Sequence, residues 1–228
     1  MTDAVMHNIT LDAKTITFYF TAVVLCLTAL HIATNFIPYH LGYGLGSVPM
    51  FDLDAEANIP TLYSSLALLC CSALLTLIAS LERKHGTPYY AWAGSAMLFL
   101  VLSVDEGAAL HEYFSISDAV GVLRSVWVIP LIMVAAFFAL VFGRVLINLP
   151  ARTRYLVFIS SLTYVLGALV VDLIGGFHFK SHGVDTLYLT LAVIEELLEM
   201  AAVVILIYAL LSHISADLHG RRLSIAFL

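Results

Sequence analysis

The sequence predicts an all-α integral membrane protein, a single bundle of six transmembrane helices with both termini in the cytoplasm. Of its 228 residues, 61% are hydrophobic, and the mean hydropathy is +0.99. Only 11% are charged, whereas soluble domains carry about 25%. This composition excludes a disordered chain, which needs low hydrophobicity and high charge. A net charge of -6 without a basic run also argues against a nucleic-acid partner.

The six helices follow from apolar runs, because a helix needs about 20 apolar residues to cross a bilayer. Pro60 and Pro88 stand at the starts of the second and third runs, where helices tolerate proline, and Pro130 predicts a kink in the fourth. The connections are short, so we expect one domain over residues 1–228. The predicted helices comprise roughly residues 15–37, 60–80, 88–114, 122–147, 154–177 and 185–212.

The orientation follows from Lys and Arg, which are enriched in cytoplasmic loops. The segments that share a side with the termini contain eight of the ten, namely Lys14, Arg83, Lys84, Arg144, Arg152, Arg154, Arg221 and Arg222. The other side has Arg124 and Lys180. We therefore expect a multi-pass protein of the bacterial inner (plasma) membrane, whose loops after the first, third and fifth helices face outward.

The acidic residues are distributed the other way. Twelve of the sixteen lie in outward-facing loops or in the outer halves of helices. Asp and Glu contribute little to topology, and a charged side chain at the bilayer centre costs about 2.5–3.5 kcal/mol on insertion scales. Acids within spans normally face the bundle interior and mark functional sites. The excess of acidic residues in the outward-facing part therefore predicts a functional site just below the outer surface.

The predicted third helix contributes two pairs of titratable residues to this site, Asp105-Glu106 and His111-Glu112. Residues seven apart on a helix are nearly eclipsed, so Asp105 and Glu112 are expected on one face, with small residues between them. Glu106 and His111 are expected on either side of that face. The small residues would leave room for an ion, a water molecule or a substrate head group.

The predicted sixth helix contributes Glu195, Glu196 and Glu199 within one turn. Three carboxylates this close repel each other strongly in a low dielectric. They coexist only if some are protonated or if a cation neutralises them. Their depth in the membrane matches that of Asp105 and Glu106, so we expect the two groups to face each other.

Other polar residues are predicted to play smaller parts. Asp172, near the outer end of the fifth helix, is the next candidate. Weaker candidates are Glu56, His31, His178 and His182, because loop and interface histidines are usually solvated. Three further acids are predicted to be solvated loop charges: Asp52, Asp54 and Asp118.

The pattern favours a divalent transition metal, one or two ions of Fe, Mn or Zn, because carboxylate and imidazole ligands suit these metals. The acids of the predicted site form neither the Glu-x-x-His of di-iron bundles nor the His-Glu-x-x-His of zinc proteases. A polar network that only locks helices together is the structural alternative. The predicted metal ligands are Asp105, Glu112, Glu195, Glu199, His111 and Asp172.

The function that this pattern favours is a metal-dependent membrane enzyme, a hydrolase or an oxidase. The metal would activate water or oxygen, and Glu106 and Glu196 would serve as catalytic acid or base. The substrate would be a lipid or another apolar molecule that enters from the bilayer.

Two other functions remain open at this stage. Acids within spans also mark transporters of protons or divalent cations, although the cytoplasmic half of the predicted bundle has no matching acids. An accessory or cofactor-binding subunit of a membrane complex is the third possibility. The sequence predicts no oligomeric state.

Overall fold

In a computed structural model of the chain, the residues described are 12–44, 46–109, 143 and 146–221. Their regular structure is helical throughout, and this part of the chain contains no strand. It includes five helices: α1 (Ala13–His40), α2 (Ile59–Lys84), α3 (Tyr90–Ala108), α4 (Ala151–His182) and α5 (Thr186–Arg221). Two of them contain a π-helical segment, Ile32–Phe36 in α1 and Leu166–Val171 in α4.

Four of these helices are long and apolar enough to cross a membrane: α1, α2, α4 and the Thr186–Ala216 part of α5. They match the predicted first, second, fifth and sixth helices, so the all-helical class is confirmed, with four candidate membrane-spanning helices. Phe18, Leu25 and Phe158 are each more than 60% exposed, as side chains that face lipid would be. The predicted fourth helix, 122–147, lies almost entirely outside the described residues.

The third helix ends earlier than the predicted 88–114. α3 ends at Ala108, and Ala109 takes a left-handed conformation with φ +49°. A left-handed residue is a common way for a helix to end. Asp105 therefore lies in the last turn of α3. The positions of His111 and Glu112 lie outside the described residues.

The directions of the helices place charges of opposite sign at opposite ends of the bundle. We call the acidic end the one formed by the ends of α1, α3 and α4 and the beginnings of α2 and α5. Asp172 and Glu195 lie toward it, together with the loop between α1 and α2. The opposite end has the basic residues Lys14, Arg83, Lys84, Arg152 and Arg154. This separation is the one that the sequence predicts.

The helix α5 is central, since it packs against α1, α2 and α4. Toward the opposite end its side chains are fully enclosed, with Ile207, Leu210 and Ile214 at most 2% exposed. They pack with Leu75 and Ile78 of α2 in one apolar core. Burial of each such side chain contributes about 1.5–3 kcal/mol in water, whereas in a bilayer close packing supplies the attraction.

Serine hydroxyls join α2 closely to α3. The hydroxyl of Ser65 donates to the carbonyl oxygen of Ser103 at 2.8 Å, and that of Ser103 donates to the carbonyl oxygen of Ser65 at 2.8 Å. One turn further along, Gly107 leaves room for the Ser65 side chain, because a Cβ there would lie 2.9 Å from the Ser65 Oγ. Small residues at such contacts let two helix backbones approach.

This contact predicts a specific double-mutant result. Gly107→Ala should destabilise the bundle, because the new methyl group collides with the Ser65 hydroxyl. Ser65→Ala alone should cost about 0.6 kcal/mol, the average for a hydrogen bond between transmembrane helices. In the Ser65→Ala background the same Gly107→Ala change should be neutral or stabilising, since the colliding oxygen is gone. Unfolding of the purified protein in mixed detergent micelles measures all four stabilities, and strictly additive effects would contradict the packing described.

Candidate functional site

Three glutamates of α5 form the centre of the candidate site. Glu195, Glu196 and Glu199 lie within one turn and are half-buried. A helix with three carboxylates in one turn faces lipid only at a large cost. The helix α4 packs against this part of α5 instead.

The helices α3 and α4 each contribute an acidic side chain that interacts with these glutamates. Glu106 of α3 interacts electrostatically with Glu196 and Glu199. Asp172 of α4 interacts with Glu195 and Glu199. The predicted meeting of acids from these helices is therefore present, and the residue of α3 that takes part with the three glutamates is Glu106.

The Tyr164 side chain, from α4, binds into the same cluster. Its hydroxyl makes a hydrogen bond with the carboxylate of Glu199 and also interacts with Glu106 and Glu196. Sequence reasoning missed this residue, because a tyrosine in an apolar run gives no sign of the direction in which it points. The signal that could have found it is its place two turns before Asp172 on the same helix.

The π-helical segment of α4 lies directly against the glutamates. A Cβ on Gly167, within this segment, would lie 3.1 Å from the carbonyl oxygen of Glu195 and 3.2 Å from the Cγ of Glu199. The absence of a side chain at Gly167 thus lets α4 touch α5 at the cluster. Single π-helical turns within α-helices occur frequently at functional sites.

A loop closes the acidic end above the cluster. Asn58 caps α2 by accepting a hydrogen bond from the Thr61 amide at 3.1 Å, and its side-chain nitrogen donates to the carbonyl oxygens of Asp52 and Ala55. The side chain of Asn35 forms a reciprocal pair of hydrogen bonds with the backbone of Val48. These two amides fold the loop back onto the bundle.

The same loop inserts an apolar anchor. Leu53 is 4% exposed and packs with Val24 of α1 and with Met200 and Val204 of α5. Its amide donates to Nδ1 of His31 at 3.0 Å. The loop is therefore packed into the helix bundle.

A cavity of about 170 Å³ lies between this loop, the end of α1 and the beginning of α5. Its polar lining includes His31, Asp52, Asp54 and Tyr188, and Phe36, Leu189 and Val193 are among its apolar walls. Asp54 interacts electrostatically with Glu195 and Glu196. The cavity is thus electrostatically connected to the glutamates.

The prediction of a solvated loop charge was wrong for Asp52, because the loop folds inward, whereas Asp54 is an exposed residue of this loop. Asp52 is partly buried, and its Oδ1 lies 3.4 Å from Nδ1 of His31. Asp54 is open to the cavity, and its Oδ2 lies 3.4 Å from the Tyr188 hydroxyl. The pKa of Asp54 is raised to about 6, because the surrounding protein limits hydration of its carboxylate and because Asp52 adds a like charge.

His178 and His182 lie away from the cluster, near the end of α4. Nε2 of His178 contacts both carboxylate oxygens of Asp185 at 2.8 Å, and His182 stacks on His178. Asp185 comes ten residues before Glu195, which is about 15 Å along a helix. Glu56 is exposed in the loop. The predicted residue Asp105 is half-buried beside Glu106, and His111, Glu112 and Asp118 lie outside the described residues.

In the described part of the chain, no three His, Cys, Asp or Glu side chains are grouped closely enough to hold a metal ion. The predicted ligands His111 and Glu112 are not among the residues concerned. The three cysteines do not form a ligand group either, and Cys71 is fully buried in the apolar core.

Comparison with known proteins gives one match. Residues 17–214 match the model of a family described as Domain of unknown function (DUF8692). No curated protein and no solved structure matches the chain.

The raised pKa of Asp54 predicts a pH-dependent stability. Its ordinary value is 3.8, so ionisation between pH 3.8 and about 6 weakens the folded state, and the loss is complete above that range. Asp54→Asn should therefore melt at a higher temperature than the wild type above pH 6 and show no such gain below pH 4. The titratable groups that interact with Asp54 are Asp52, Tyr188, His31, Glu195 and Glu196.

Thermal melts across this pH range test the prediction, and NMR of ¹³C-aspartate-labelled protein measures the pKa directly. Asp12→Asn is the matched control, because hydrogen bonds from Thr15 and Lys14 hold the pKa of Asp12 below its usual value. That variant should gain no stability at high pH. An Asp54 resonance that titrates near pH 4 would contradict the environment described.

Proposed function

The chain belongs to the family described as Domain of unknown function (DUF8692), and we propose that it is a membrane-embedded, metal-dependent enzyme. In this proposal it is a hydrolase or an oxidase that acts on a lipid or another apolar substrate. Its site is the group of carboxylates at the acidic end of the bundle.

One observation supports the proposal above all others. In the described part of the chain, the electrostatic partners of Glu195, Glu196 and Glu199 are other carboxylates and the Tyr164 hydroxyl. No Lys, Arg or His side chain of that part is among them. Carboxylates collected in this way need protons or a cation to balance their charge, and a divalent metal balances two of them at once.

The proposed ligands are those that the sequence singles out: Asp105, Glu112, Glu195, Glu199, His111 and Asp172. Because the described residues alone contain no group of three ligands, the proposal requires His111 and Glu112 to complete the set. One or two ions of Fe, Mn or Zn suit these ligands. When bound, such a metal activates water or oxygen.

The other residues have roles of their own in this proposal. Glu106 and Glu196 interact with each other and with Glu199, so either can hold or release a proton beside the metal ligands. Tyr164 orients Glu199 through its hydrogen bond. Gly167 keeps α4 close enough for Asp172 to reach α5.

The proposal includes the finer topology. We place the acidic end on the outer side of a bacterial inner membrane, with six transmembrane helices and cytoplasmic termini, because Lys and Arg concentrate at the opposite end. A lipid substrate would then enter from the outer leaflet. The lipid bilayer is the partner that the exposed apolar side chains favour.

Packing at the opposite end disfavours a transporter. A transported proton or cation would have to leave through that half of the bundle, where α2 and α5 form an apolar core that includes Leu75, Ile78, Ile207 and Leu210. These side chains are at most 3% exposed. An enzyme site, by contrast, needs access from one side only.

Metal analysis of the purified full-length protein tests the proposal. We expect one or two transition-metal ions per chain by mass spectrometry of the elements, after removal of loosely bound metal by dialysis. Glu195→Gln and Glu199→Gln should each lower this content by at least half. The matched control Glu82→Gln, at the opposite end of α2, should leave it unchanged.

Two results would count against the metal. The first is folded wild-type protein, checked by circular dichroism, that contains no transition metal after growth with each of the three metals. The second is a metal content that both site variants leave at the wild-type level.

A further inference from the structure

His31 presents a hydrogen-bond donor to the cavity. The residue is 5% exposed and lines the cavity. Its Nδ1 accepts a hydrogen bond from the amide of Leu53, at 3.0 Å. A neutral imidazole that accepts at Nδ1 carries its proton on Nε2. Among the described residues Nε2 has no hydrogen-bond partner, so its N–H can donate to a ligand in the cavity that His31 lines.

The backbone and not a carboxylate holds this tautomer. The Oδ1 of Asp52 lies 3.4 Å from the same Nδ1, but the Leu53 amide is closer and is directed at the ring nitrogen. Asp52 in turn accepts a hydrogen bond from the amide of Asp54 at 3.3 Å. The loop therefore fixes both the orientation of the imidazole and the nitrogen that donates.

The cavity also offers an acceptor. Asp54 is open to the cavity, and its carboxylate has Tyr188 as a hydroxyl neighbour at 3.4 Å, which is long for a hydrogen bond of this type. The site thus combines a fixed N–H donor with a carboxylate acceptor. A group that accepts one hydrogen bond and donates another satisfies both, and a hydroxyl group does this.

The remaining walls favour a carbon skeleton beside that hydroxyl. Phe36, Leu189, Ala192 and Val193 are among the side chains that line the cavity. Its volume of about 170 Å³ greatly exceeds the roughly 10–15 Å³ that one water molecule requires. A bare cation fits poorly, because the imidazole N–H would direct its positive end toward it. An ammonium group has the same disadvantage.

We propose that this cavity binds a hydroxyl-bearing head group of the glycerol or sugar type, with one hydroxyl between Nε2 of His31 and the carboxylate of Asp54. The ligand would lie within electrostatic range of the glutamates, since Asp54 interacts with Glu195 and Glu196. The identification of this ligand as the substrate rests on the proposed function, whereas its binding in the cavity does not. A lipid and a free polyol carry the same chemistry, and the experiment separates them.

The test measures lipid retention by the full-length protein in phosphatidylcholine nanodiscs treated with EDTA. Native mass spectrometry compares dioleoylglycerol, which has a free hydroxyl, with its methyl ether, which has none. We expect about tenfold or greater preference for the free hydroxyl, the range for one hydrogen bond to a charged group. Soluble glycerol at millimolar concentration is the second arm, and competition by glycerol would identify the free polyol as sufficient.

Variants locate the site. Asp54→Ala and His31→Gln should each remove most of the preference for dioleoylglycerol. His178→Gln, a matched change of a histidine near the end of α4 that does not line the cavity, should retain it. Tyr188→Phe keeps the aromatic wall and should weaken binding less than Asp54→Ala does.

Several results would overturn the inference. Equal retention of dioleoylglycerol and its methyl ether is one, and a preference that survives both Asp54→Ala and His31→Gln is another. Stronger retention of phosphatidylethanolamine that depends on Asp54 would identify an ammonium site instead. Because EDTA removes the metal, hydroxyl-selective binding supports this inference even if the protein proves to contain no metal. A metal-containing protein that shows no such selectivity refutes this inference alone.

Discussion

The repulsion among carboxylates on α5 is the constraint on which the rest of the structure depends. Glu195, Glu196 and Glu199 occupy one turn of a helix that is otherwise apolar enough to cross a membrane. Such a turn cannot face hydrocarbon without a large cost. The surrounding elements therefore provide Tyr164, the close approach at Gly167 and an inward-folded loop. In the described part of the chain, no basic side chain is among the electrostatic partners of the three glutamates.

Because of this constraint, different interactions hold the helices together at the two ends of the bundle. Toward the opposite end, α2 and α5 pack as an apolar core that tolerates little change in volume. Toward the acidic end, polar contacts and backbone irregularities replace that core, including two π-helical segments and the residues Ala57 and Ala109 with positive φ. Left-handed and other sparsely populated backbone conformations cluster at functional sites. The apolar core at the opposite end stabilises the bundle and so offsets the cost of the irregular backbone at the acidic end.

The amino-acid sequence is sufficient to predict the features that follow from composition and from the depth of charged residues in the membrane. Long apolar runs gave four helices at the predicted places, and the segregation of acids and bases to opposite ends of the bundle agrees with the helix directions. Hydropathy could not predict the loop, because Leu53 anchors it through a single buried side chain and Asn35 and Asn58 through hydrogen bonds between residues distant in the chain. Nor could periodicity reveal the end of α3, since Ala109 is an ordinary helix former that takes a left-handed conformation here.

The π-helical segment of α4 makes the site sensitive to chain length as well as to residue type. Gly167 and Asp172 both meet α5, although five residues of regular α-helix would separate their directions by about 140°. The wider π-helical turn accommodates about one more residue and so returns Asp172 to the side of Gly167. Deleting one residue between Gly167 and Asp172 would leave four residues of regular α-helix, which keep Asp172 within about 40° of Gly167 and toward the glutamates. A regular α-helix of the present length would instead turn Asp172 about 100° away from them.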